Sequence, residues 1–582
     1  MRTFTFKGLL LTAVFMLLGC LSIQAADDDL ITKQITIKLD KAGTLPNKIA
    51  ISEMYKITNL KIIGEINGTD WNFIREMAGR DFNGEKTDGK LSILDLSEAK
   101  IVAGGDAYVR FSENYYYYTS NDKLGDYVFY GCSGLTSLTL PSSVTSIGRG
   151  AFYGCWKLTS LTIPSGVTSI GYSAFRGCSG LTSLTIPSSV TEISDDAFKG
   201  CSGLTSMIIP SGVTAIGRET FSGCSGLTSL TIPSSVTSIG ESAFEWCSGL
   251  TSLTLPSSVT SIGDKAFYSC WMLNSLTIPS SVTSIGDEAF EACSGLTSLT
   301  IPSGVTSIGK SAFRDCSGLT SLTLPSSVTS IGDYAFAGCS GLTSLTIPSG
   351  VTSIGGGTFW GCWKLTSLTI PSGVTSIGNY TFTGCSGLTS LTLPSGVTSI
   401  GDYAFQDCSG STSLTLPSGV TSIGICAFYD CSGLTSLTIP SSVTSIGDKA
   451  FYGCSELTSL TIPSSVTEIG WGAFRGCSGL TSIYVYPENL PELGIDIFTG
   501  CDAKNCTVYV PKGTYDAYKS SEFGYFEKIV EFDATGIDKV TTSTNAKEVS
   551  RYSVNGQRLV GPTKGLNIVK YSDGSVKKVA VE

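Results

Sequence analysis

The chain has 582 residues and a formal net charge of −10, charged residues make up only 15% of it, and histidine is absent. The acidic balance argues against nucleic acid as a partner, and the lack of histidine removes the commonest general base and the imidazole ligands of zinc and haem. We therefore expect a binding or structural protein that is not an enzyme, has no cofactor and holds no metal ion.

Residues 1–25 have the pattern of a signal peptide. Arg2 and Lys7 precede an apolar run from Gly8 to Leu18, and small residues near Ala25 supply a cleavage site. The run is shorter than the roughly 20 residues that cross a bilayer, so we expect export and no membrane-spanning segment. A second interpretation is a lipoprotein signal, Leu17-Leu18-Gly19-Cys20, in which a lipid on Cys20 anchors the chain.

Residues 26–123 are predicted to form an N-terminal cap that contains a divergent repeat. Trp71 to Met77, after Thr69 and Asp70, reads as a short helix, and Leu91 to Leu96 has the spacing L-x-x-L-x-L. A stack of repeats needs such a cap to cover its first hydrophobic face. The tract Tyr115 to Tyr118 lies in an insertion, where it either binds a ligand or packs against the cap.

Residues 124–500 are dominated by a repeat of fixed length. Sixteen cysteines recur at intervals of 23 residues, at 132, 155, 178, 201, 224, 247, 270, 293, 316, 339, 362, 385, 408, 431, 454 and 477. A fixed period in this range means one structural coil per repeat. The predicted fold is a mainly β solenoid of about 16 coils that stack in register.

The repeat that starts at Cys293 shows the expected coil. Leucines and isoleucines at L-x-x-L-x-L spacing place one short parallel strand at Ser298 to Ile301, which Pro302 ends. Val305 and Ile308 return to the core, and a short 3₁₀ or helical turn follows at Ala312 to Cys316. Ser411 replaces the leucine that opens this pattern in other coils, which predicts a locally weak coil.

The regular cysteines suggest disulfides in an exported protein, but geometry argues against them. Side chains stacked at the strand spacing of about 4.8 Å point the same way and lie too far apart for a good S–S bond. We therefore predict buried, unreactive thiols. Cys426, Cys501 and Cys506 fall outside this cysteine ladder, and the last two are candidates for a bridge.

The end of the chain changes pattern twice. Residues 501–535 are predicted to be a C-terminal cap, in which Thr507 to Pro511 precedes Thr514 to Lys519, and residues 536–548 a linker. Residues 549–582 read as a small antiparallel β domain with Asn555-Gly556 and Asp573-Gly574 turns.

The repeat Leu-x-x-Leu-x-Leu/Ile-Pro-x-x-Val-x-x-Ile-Gly-x-x-Ala-Phe-x-x-Cys, from about Leu124 to Cys501, resembles the BspA-like class of leucine-rich repeats. This resemblance implies an adhesin or antigen on the outer surface of a Gram-negative bacterium, with a protein or glycan ligand on a host or microbial surface. The segment after residue 549, with Asn555-Gly556-Gln557-Arg558-Leu559 and Lys577-Lys578-Val579, resembles a type IX-type sorting domain, which implies surface attachment; the alternative is an accessory β domain.

Aromatic residues at the variable positions of the coils are the candidate ligand-binding residues, because aromatic side chains are enriched in interface hot spots. They are Tyr334, Trp360, Tyr380, Tyr403, Tyr429, Tyr452 and Trp471, with the stretch 334–452 as the preferred patch. Tyr380 and Tyr403 are one coil apart and are expected to stack. Variable charges such as Asp264, Asp287, Lys310 and Asp333 are interpreted as solubilising groups.

The alternative to an adhesin is a structural or glycan-associating surface spacer. The outward strand positions, for instance Thr297, Ser298 and Thr300, form a neutral hydroxyl wall that suits a repeating ligand. Threonine also simply suits a half-exposed strand, so these hydroxyls need no ligand to explain them.

Overall fold

The computed structural model describes residues 29–112, 115–533, 548–553, 558–561, 565–571 and 576–581. The predicted signal peptide, nearly all of the predicted linker and both predicted turns of the C-terminal domain lie outside these residues. Two compact units divide the chain, the first ending at Cys362 and the second beginning at Trp363. No helix within the described ranges is long and apolar enough to cross a membrane.

The first unit begins with a cap built around three parallel strands that lead into the first coil strand. Its elements are β1 (Ile35–Lys38), a 3₁₀ helix (Leu45–Asn47), α1 (Ile51–Met54), β2 (Asn59–Ile66), α2 (Gly68–Met77), β3 (Ile93–Ile101), and the antiparallel pair β4 (Gly104–Ser112) and β5 (Tyr115–Thr119). The backbone of β3 pairs with the strand Ser137–Thr139, so the cap continues the register of the coils.

The helix α2 begins three residues before the predicted start at Trp71. Asn67 is its N-cap: the Asn67 side chain accepts the Thr69 N–H at 3.1 Å, and the Asp70 carboxylate accepts the Asn67 N–H at 3.0 Å. Asp70 is fully buried and also accepts the N–H groups of Gly43 and Leu45. Asp70, which was predicted to precede the helix, therefore lies inside it. Its carboxylate connects the start of the helix to the loop that contains Gly43 and Leu45.

The coils have two short parallel strands, where the sequence predicted one; in the coil of Cys178 the first strand is reduced to a single bridge at Ser183. In the coil of Cys293 the first strand is Ser298–Thr300, one residue shorter than predicted, and the second is Ser307–Ile308. Both pair in register with the next coil, as Leu299 with Leu322 and Ile308 with Ile331. The second strand arises because Val305 and Ile308 both point inward and leave the intervening backbone free to pair.

The first coil strands of the two units share these bounds with small variations. In the first unit they are Ser137–Thr139, Ser160–Thr162, Ser206–Ile208, Ser229–Thr231, Ser252–Thr254, Ser275–Thr277, Ser298–Thr300, Ser321–Thr323 and Ser344–Thr346. In the second unit they are Ser367–Thr369, Ser390–Thr392, Ser413–Thr415, Ser436–Thr438, Ser459–Ile462 and Ser482–Val485.

The second coil strands form a parallel set of their own on another side of each coil. In the first unit they are Lys123–Leu124, Ser146–Ile147, Ser169–Ile170, Glu192–Ile193, Ala215–Ile216, Ser238–Ile239, Ser261–Ile262, Ser284–Ile285, Ser307–Ile308, Ser330–Ile331 and Ser353–Ile354. In the second unit they are Ser376–Ile377, Ser399–Ile400, Ser422–Ile423, Ser445–Ile446, Glu468–Ile469 and Glu492–Leu493.

The core of each coil contains the predicted apolar residues in stacked rows. Leucine, isoleucine, valine and phenylalanine at equivalent positions are buried along both units. The Phe290 and Phe313 rings are parallel within 8° and their centroids are 5.4 Å apart. Stacked rings at this spacing bury apolar surface between coils, so each coil depends on its neighbours for stability.

The return leg of the coil consists of single 3₁₀-type turns, as the sequence predicted, and they do not join into a continuous helix. It contains hydrogen bonds between residues three apart, as from Cys316 N–H to the Phe313 carbonyl at 3.2 Å. However, Ser311 and Asp315 have positive φ angles of 52° and 57°. Left-handed residues interrupt a right-handed helix, and their N–H groups donate to the next coil instead.

Every cysteine in the described part of the chain is a buried free thiol, as predicted for the cysteine ladder. The thiol of Cys316 donates to the Phe290 carbonyl at 3.1 Å, and equivalent bonds recur along the row. The predicted Cys501–Cys506 bridge is absent among these residues. Cys501 instead donates to the Phe474 carbonyl, as a ladder thiol would, which places it in the row from which the sequence analysis excluded it.

In the second unit a cap closes the stack of phenylalanines. The cap consists of β6 (Thr507–Pro511), α3 (Tyr515–Lys519), a 3₁₀ helix (Glu522–Tyr525) and β7 (Lys528–Phe532). Phe523 and Phe526 contact Phe498 with ring centroids 4.9 and 5.1 Å apart. The predicted small antiparallel sheet follows as β8 (Glu548–Ser553), β9 (Arg558–Leu559), β10 (Gly565–Tyr571) and β11 (Val576–Val581), with strand order β9-β8-β10-β11.

Candidate ligand-binding surfaces

The variable side chains of each coil lie on its return leg. We number coil positions from the ladder cysteine, so that Cys293 is position 1 and Asp315 is position 23. Positions 19 and 23 have positive φ in coil after coil, and non-glycine residues such as Tyr334, Tyr380 and Tyr403 occupy position 19 at 56°, 59° and 57°. The left-handed conformation costs a non-glycine residue about 1–2 kcal/mol. Hydrogen bonds to the next coil hold these residues in place, as from Tyr380 N–H to the Asp402 carbonyl at 2.9 Å.

Five of the seven predicted binding residues lie on five consecutive coils of the second unit. We call this set the aromatic face; it consists of Tyr380, Tyr403, Tyr429, Tyr452 and Trp471. The Tyr380 and Tyr403 rings stack at 4.9 Å and 4°, as predicted. The Tyr429 and Tyr452 rings stack at 4.7 Å and 5°. Tyr380 and Trp471 are exposed, while the other three rings are half-buried.

Polar contacts hold two of these rings, those of Tyr403 and Trp471. The Cys426 sulfur near the Tyr403 hydroxyl, partial desolvation and a hydrogen bond between the two side chains raise the pKa of Tyr403. The Lys449 ammonium lies 4.3 Å from the centre of the Trp471 ring, a distance typical of a cation–π contact. The aromatic face is therefore largely preorganised before any ligand arrives.

Tyr334 and Trp360, the remaining two predicted residues, belong to the first unit. The Tyr334 ring lies across the next coil at Gly357, so closely that a Cβ atom there would come within 2.2 Å of it. Trp360 is exposed, at position 22. The preferred patch of residues 334–452 thus includes residues of both units, whereas all five residues of the aromatic face belong to the second unit.

The hydroxyl wall is partly used by the protein itself. The Thr320 hydroxyl donates to the Thr297 carbonyl of the preceding coil at 3.0 Å, and threonines at the same position repeat this bond along the stack. Ser298 and Thr300 remain exposed on the strand. One of the three hydroxyl columns is therefore a structural device that ties coils together.

The interpretation of the position-18 aspartates as solubilising groups is incomplete. The Asp287 carboxylate accepts the Lys310 N–H of the next coil at 2.7 Å, and Asp264 accepts that of Asp287 at 2.8 Å. Asp333 does the same for Gly356. These side chains cap a backbone group that the turn leaves without a partner, which explains why aspartate is frequent at this position.

The tyrosines of the N-terminal insertion divide between packing and exposure, so the packing alternative is confirmed in part and ligand binding stays a prediction. Tyr115 and Tyr118 are exposed on β5, whereas the Tyr117 ring packs against Phe111 and Tyr127 at 6.2 and 5.2 Å. Tyr116 and Tyr118 alternate with Tyr117 along β5, so they lie on its opposite face, where both are exposed.

Several exposed aromatic residues did not enter the sequence prediction. Trp156, Trp271 and Trp363 occupy position 2, where other coils have serine, and all three are exposed. Trp246 occupies position 23, where glycine is common. A position-by-position comparison of the coils would have found them, because each replaces a small residue with an indole.

The described residues contain no group of three cysteine, aspartate or glutamate side chains placed to hold a metal ion. Burial raises the pKa of the ladder thiols, to about 12 for Cys224 and Cys431. A protonated, enclosed thiol is a poor nucleophile, so the cysteine ladder supports the fold and is not a chemical site.

Comparison with known proteins identifies the repeat. A family described as a BspA type leucine rich repeat region, of six copies, matches residues 113–228, 214–340, 306–413 and 398–523. A leucine-rich repeat protein from Bacteroides ovatus is 34% identical, with 63% of this chain and 88% of that chain covered and a TM-score of 0.49. A leucine rich cell surface protein from Faecalibacterium prausnitzii is 36% identical, with 48% and 85% covered and a TM-score of 0.36. No curated protein matches the chain.

Proposed function

Because the chain belongs to the family of proteins with BspA-type leucine-rich repeats, we propose that it is a cell-surface adhesin, which binds a protein of the host matrix, a host cell or another microbe. The aromatic face of the second unit is the proposed contact surface. The single observation that carries this proposal is that five aromatic residues on consecutive coils are held in place by stacking and polar contacts.

Preorganisation is the physical reason to assign binding to this face. Tyrosine and tryptophan provide large contact areas and are common in interface hot spots. A ring already fixed by its neighbour loses little conformational entropy when a ligand binds. Five coils spaced about 4.8 Å apart give a strip roughly 20 Å long, which suits an extended segment or an edge of a folded protein.

A protein ligand is favoured over a repeating glycan. The hydroxyl wall is the feature that would suit a glycan, but one of its columns donates its hydroxyls to the protein backbone. This internal use of the hydroxyls weakens the argument for a glycan-associating surface spacer. It does not affect the argument for the aromatic face.

Solid-phase binding to a panel of host matrix proteins and intact microbial cells tests the proposal. The variant carries Tyr380→Ser, Tyr403→Ser and Tyr429→Ser, because serine occupies the same positions in other coils, as Ser311 and Ser222. Loss of hot-spot residues should weaken binding at least about 30-fold. Tyr172→Asp in the first unit is the matched control, since aspartate is frequent at its position. Unchanged binding by the triple variant would reject the aromatic face.

Export through residues 1–25 and attachment through residues 549–582 are part of the same proposal. The C-terminal sheet has four antiparallel strands, and Asn567 and Val569 are buried in it. It is a folded element of the kind that a sorting machinery can recognise. Deletion of residues 549–582 in the native bacterium should release the protein into the medium, whereas Cys20→Ser should leave it on the cell. Release by the Cys20 variant alone would favour lipid anchoring instead.

A further inference from the structure

A second aromatic surface lies in the first unit and shares no residue with the proposed aromatic face. We call it the tryptophan cluster; it consists of Trp246, Tyr268, Trp271 and Met272. The Trp246 ring meets Trp271 edge to face at 6.0 Å and Tyr268 at 5.7 Å. Trp246, Trp271 and Met272 remain 46%, 46% and 52% exposed. Three large apolar side chains that neighbour each other and face water mark an interaction site more often than a packing site.

The cluster is built from residues that the coil does not favour. Position 23 has positive φ and is glycine in coils such as those ending at Gly223 and Gly338, yet Trp246 adopts a φ of 59° there. Positions 2 and 3 are Ser-Gly in most coils, and here they are Trp271 and Met272. Other non-glycine residues, such as Ser269 and Ala292, also adopt positive φ at position 23, so the backbone strain is common to the coils. What distinguishes the cluster is that large apolar side chains stand exposed where other coils have small ones.

The surroundings of the cluster are acidic. Between residues 241 and 292 the chain has six carboxylates (Glu241, Glu245, Asp264, Asp287, Glu288 and Glu291) and one lysine (Lys265), which is a local net charge of −5 within a total of −10. Glu245, Tyr268 and Glu291 occupy position 22 in three consecutive coils, so glutamates flank the tyrosine on both sides.

Some of these carboxylates already have a cationic neighbour. Lys265 lies 3.5 Å from Glu288, and Arg314 lies 4.0 Å from Glu291. Arg218 lies 3.6 Å from Glu241. Asp264 and Asp287 also accept backbone N–H groups, and the three cations Lys265, Arg218 and Arg314 only partly offset the six negative charges.

We propose that the tryptophan cluster is a docking site for a basic segment of a protein partner, with an arginine or lysine side chain over an indole ring and glutamates around it. A cation over tryptophan gains cation–π energy, which increases as the pair is desolvated. The neighbouring acidic groups favour the approach of a positive segment and disfavour a negative one. This site is independent of the aromatic face, so it stands whether or not that face binds an adhesion ligand.

The probe is a short amidated peptide with the sequence Gly-Leu-Arg-Leu-Arg-Gly, compared with the same peptide in which citrulline replaces both arginines. The measurement uses full-length protein with isotope-labelled tryptophan, and follows the indole N–H signals during titration. The arginine peptide should bind at least tenfold more tightly than the citrulline peptide and should shift signals that Trp246→Gly and Trp271→Ser remove.

Variants that restore the common coil residues separate binding from folding. The double variant Trp246→Gly and Trp271→Ser has the residues that neighbouring coils already have, so it should fold and should bind the arginine peptide at least tenfold more weakly. Trp156→Ser, at the same coil position as Trp271 but five coils earlier, is the matched control and should bind as the natural chain does.

Three results would overturn the proposal. They are equal binding of the arginine and citrulline peptides, equal binding by the double variant and the Trp156→Ser control, and binding of a chitin or cellulose oligosaccharide at the cluster in place of the peptide. Loss of matrix-protein binding in the tyrosine triple variant has no bearing on these readouts, which keeps the two sites distinguishable.

Discussion

Replacement of Ser411 by leucine should stabilise the coil that contains it by about 1–2 kcal/mol. Ser411 stands at position 4, where the neighbouring coils have Leu388 and Leu434, both buried. The structure has an apolar cavity of about 10 Å³ at this point, lined by Leu388, Leu391, Phe405, Cys408, Ser411, Leu414, Phe428, Cys431 and Leu434. Ser411 itself is half-buried, so the serine opens the core to water where leucine would close it.

The expected magnitude follows from burial and not from the volume of the cavity. Burial of a leucine side chain is worth about 1.5–3 kcal/mol, and ordering it costs about 0.5–1 kcal/mol. A cavity of about 10 Å³ contributes only roughly 0.2 kcal/mol at 24 cal/mol per Å³. Leu388 and Leu434, buried at the same position of the neighbouring coils, indicate that a coil can accommodate a leucine there.

Amide hydrogen exchange read by mass spectrometry measures the effect coil by coil. The strand Ser413–Thr415 pairs with Ser436–Thr438, so peptides from both strands should exchange roughly tenfold more slowly in Ser411→Leu. In the natural chain the strand after Ser411 should exchange faster than its neighbours. Ser413→Leu is the control, because it adds the same side chain at an exposed position of the same coil. Unchanged or faster exchange in Ser411→Leu would refute the assignment of a core defect.

Three further outcomes follow from the coil geometry. Burial raises the pKa of the ladder thiols, to about 12 for Cys224, so the unfolded state loses their protons first as pH rises. The free energy of unfolding, measured by urea titration, should then be constant below about pH 8.5 and should fall towards about pH 10 by about 1–2 kcal/mol per thiol. A profile that stays flat up to about pH 10 would contradict this. Asp287→Ala should cost about 1–2 kcal/mol because the Lys310 N–H loses its acceptor, whereas Asp287→Asn should cost little, since Asn379 accepts the Asp402 N–H in the same way. Ala292→Gly should stabilise by about 0.5–1 kcal/mol and Gly361→Ala should destabilise by a similar amount, because both positions have positive φ; opposite signs in thermal melts would contradict the strain argument.

Much of the fold could be predicted because the same residue types recur at the same positions of every coil. Apolar residues at core positions such as those of Leu299 and Phe313 recur along the chain, so their spacing alone predicts the inward residues and the stacked strands. The free cysteine ladder was predictable for the same reason, since equal spacing fixes the direction of every thiol. The stacking of Tyr380 on Tyr403 followed from their separation by one period.

The candidate sites were less predictable, because they depend on the departures from the repeat. Trp246 was missed since its significance appears only once position 23 is known to have positive φ. The aspartates at position 18 looked like surface charges, because a side chain's hydrogen bond to the next coil has no signature in composition. The apolar spacing of the return leg predicted its short turn, but it did not show that the N–H groups of Ser311, Phe313 and Asp315 donate to the next coil.

The sequence by itself determined the period, the residues that face the core and the register of the stack, because each is a property of one coil that its copies must share. The tertiary structure decided how the backbone between those residues is satisfied: a second strand at Ser307–Ile308, left-handed turns at positions 19 and 23, and carboxylate caps at position 18. These features exist only between coils, since each donor or acceptor finds its partner 22 or 23 residues away in the chain and one strand spacing away in space.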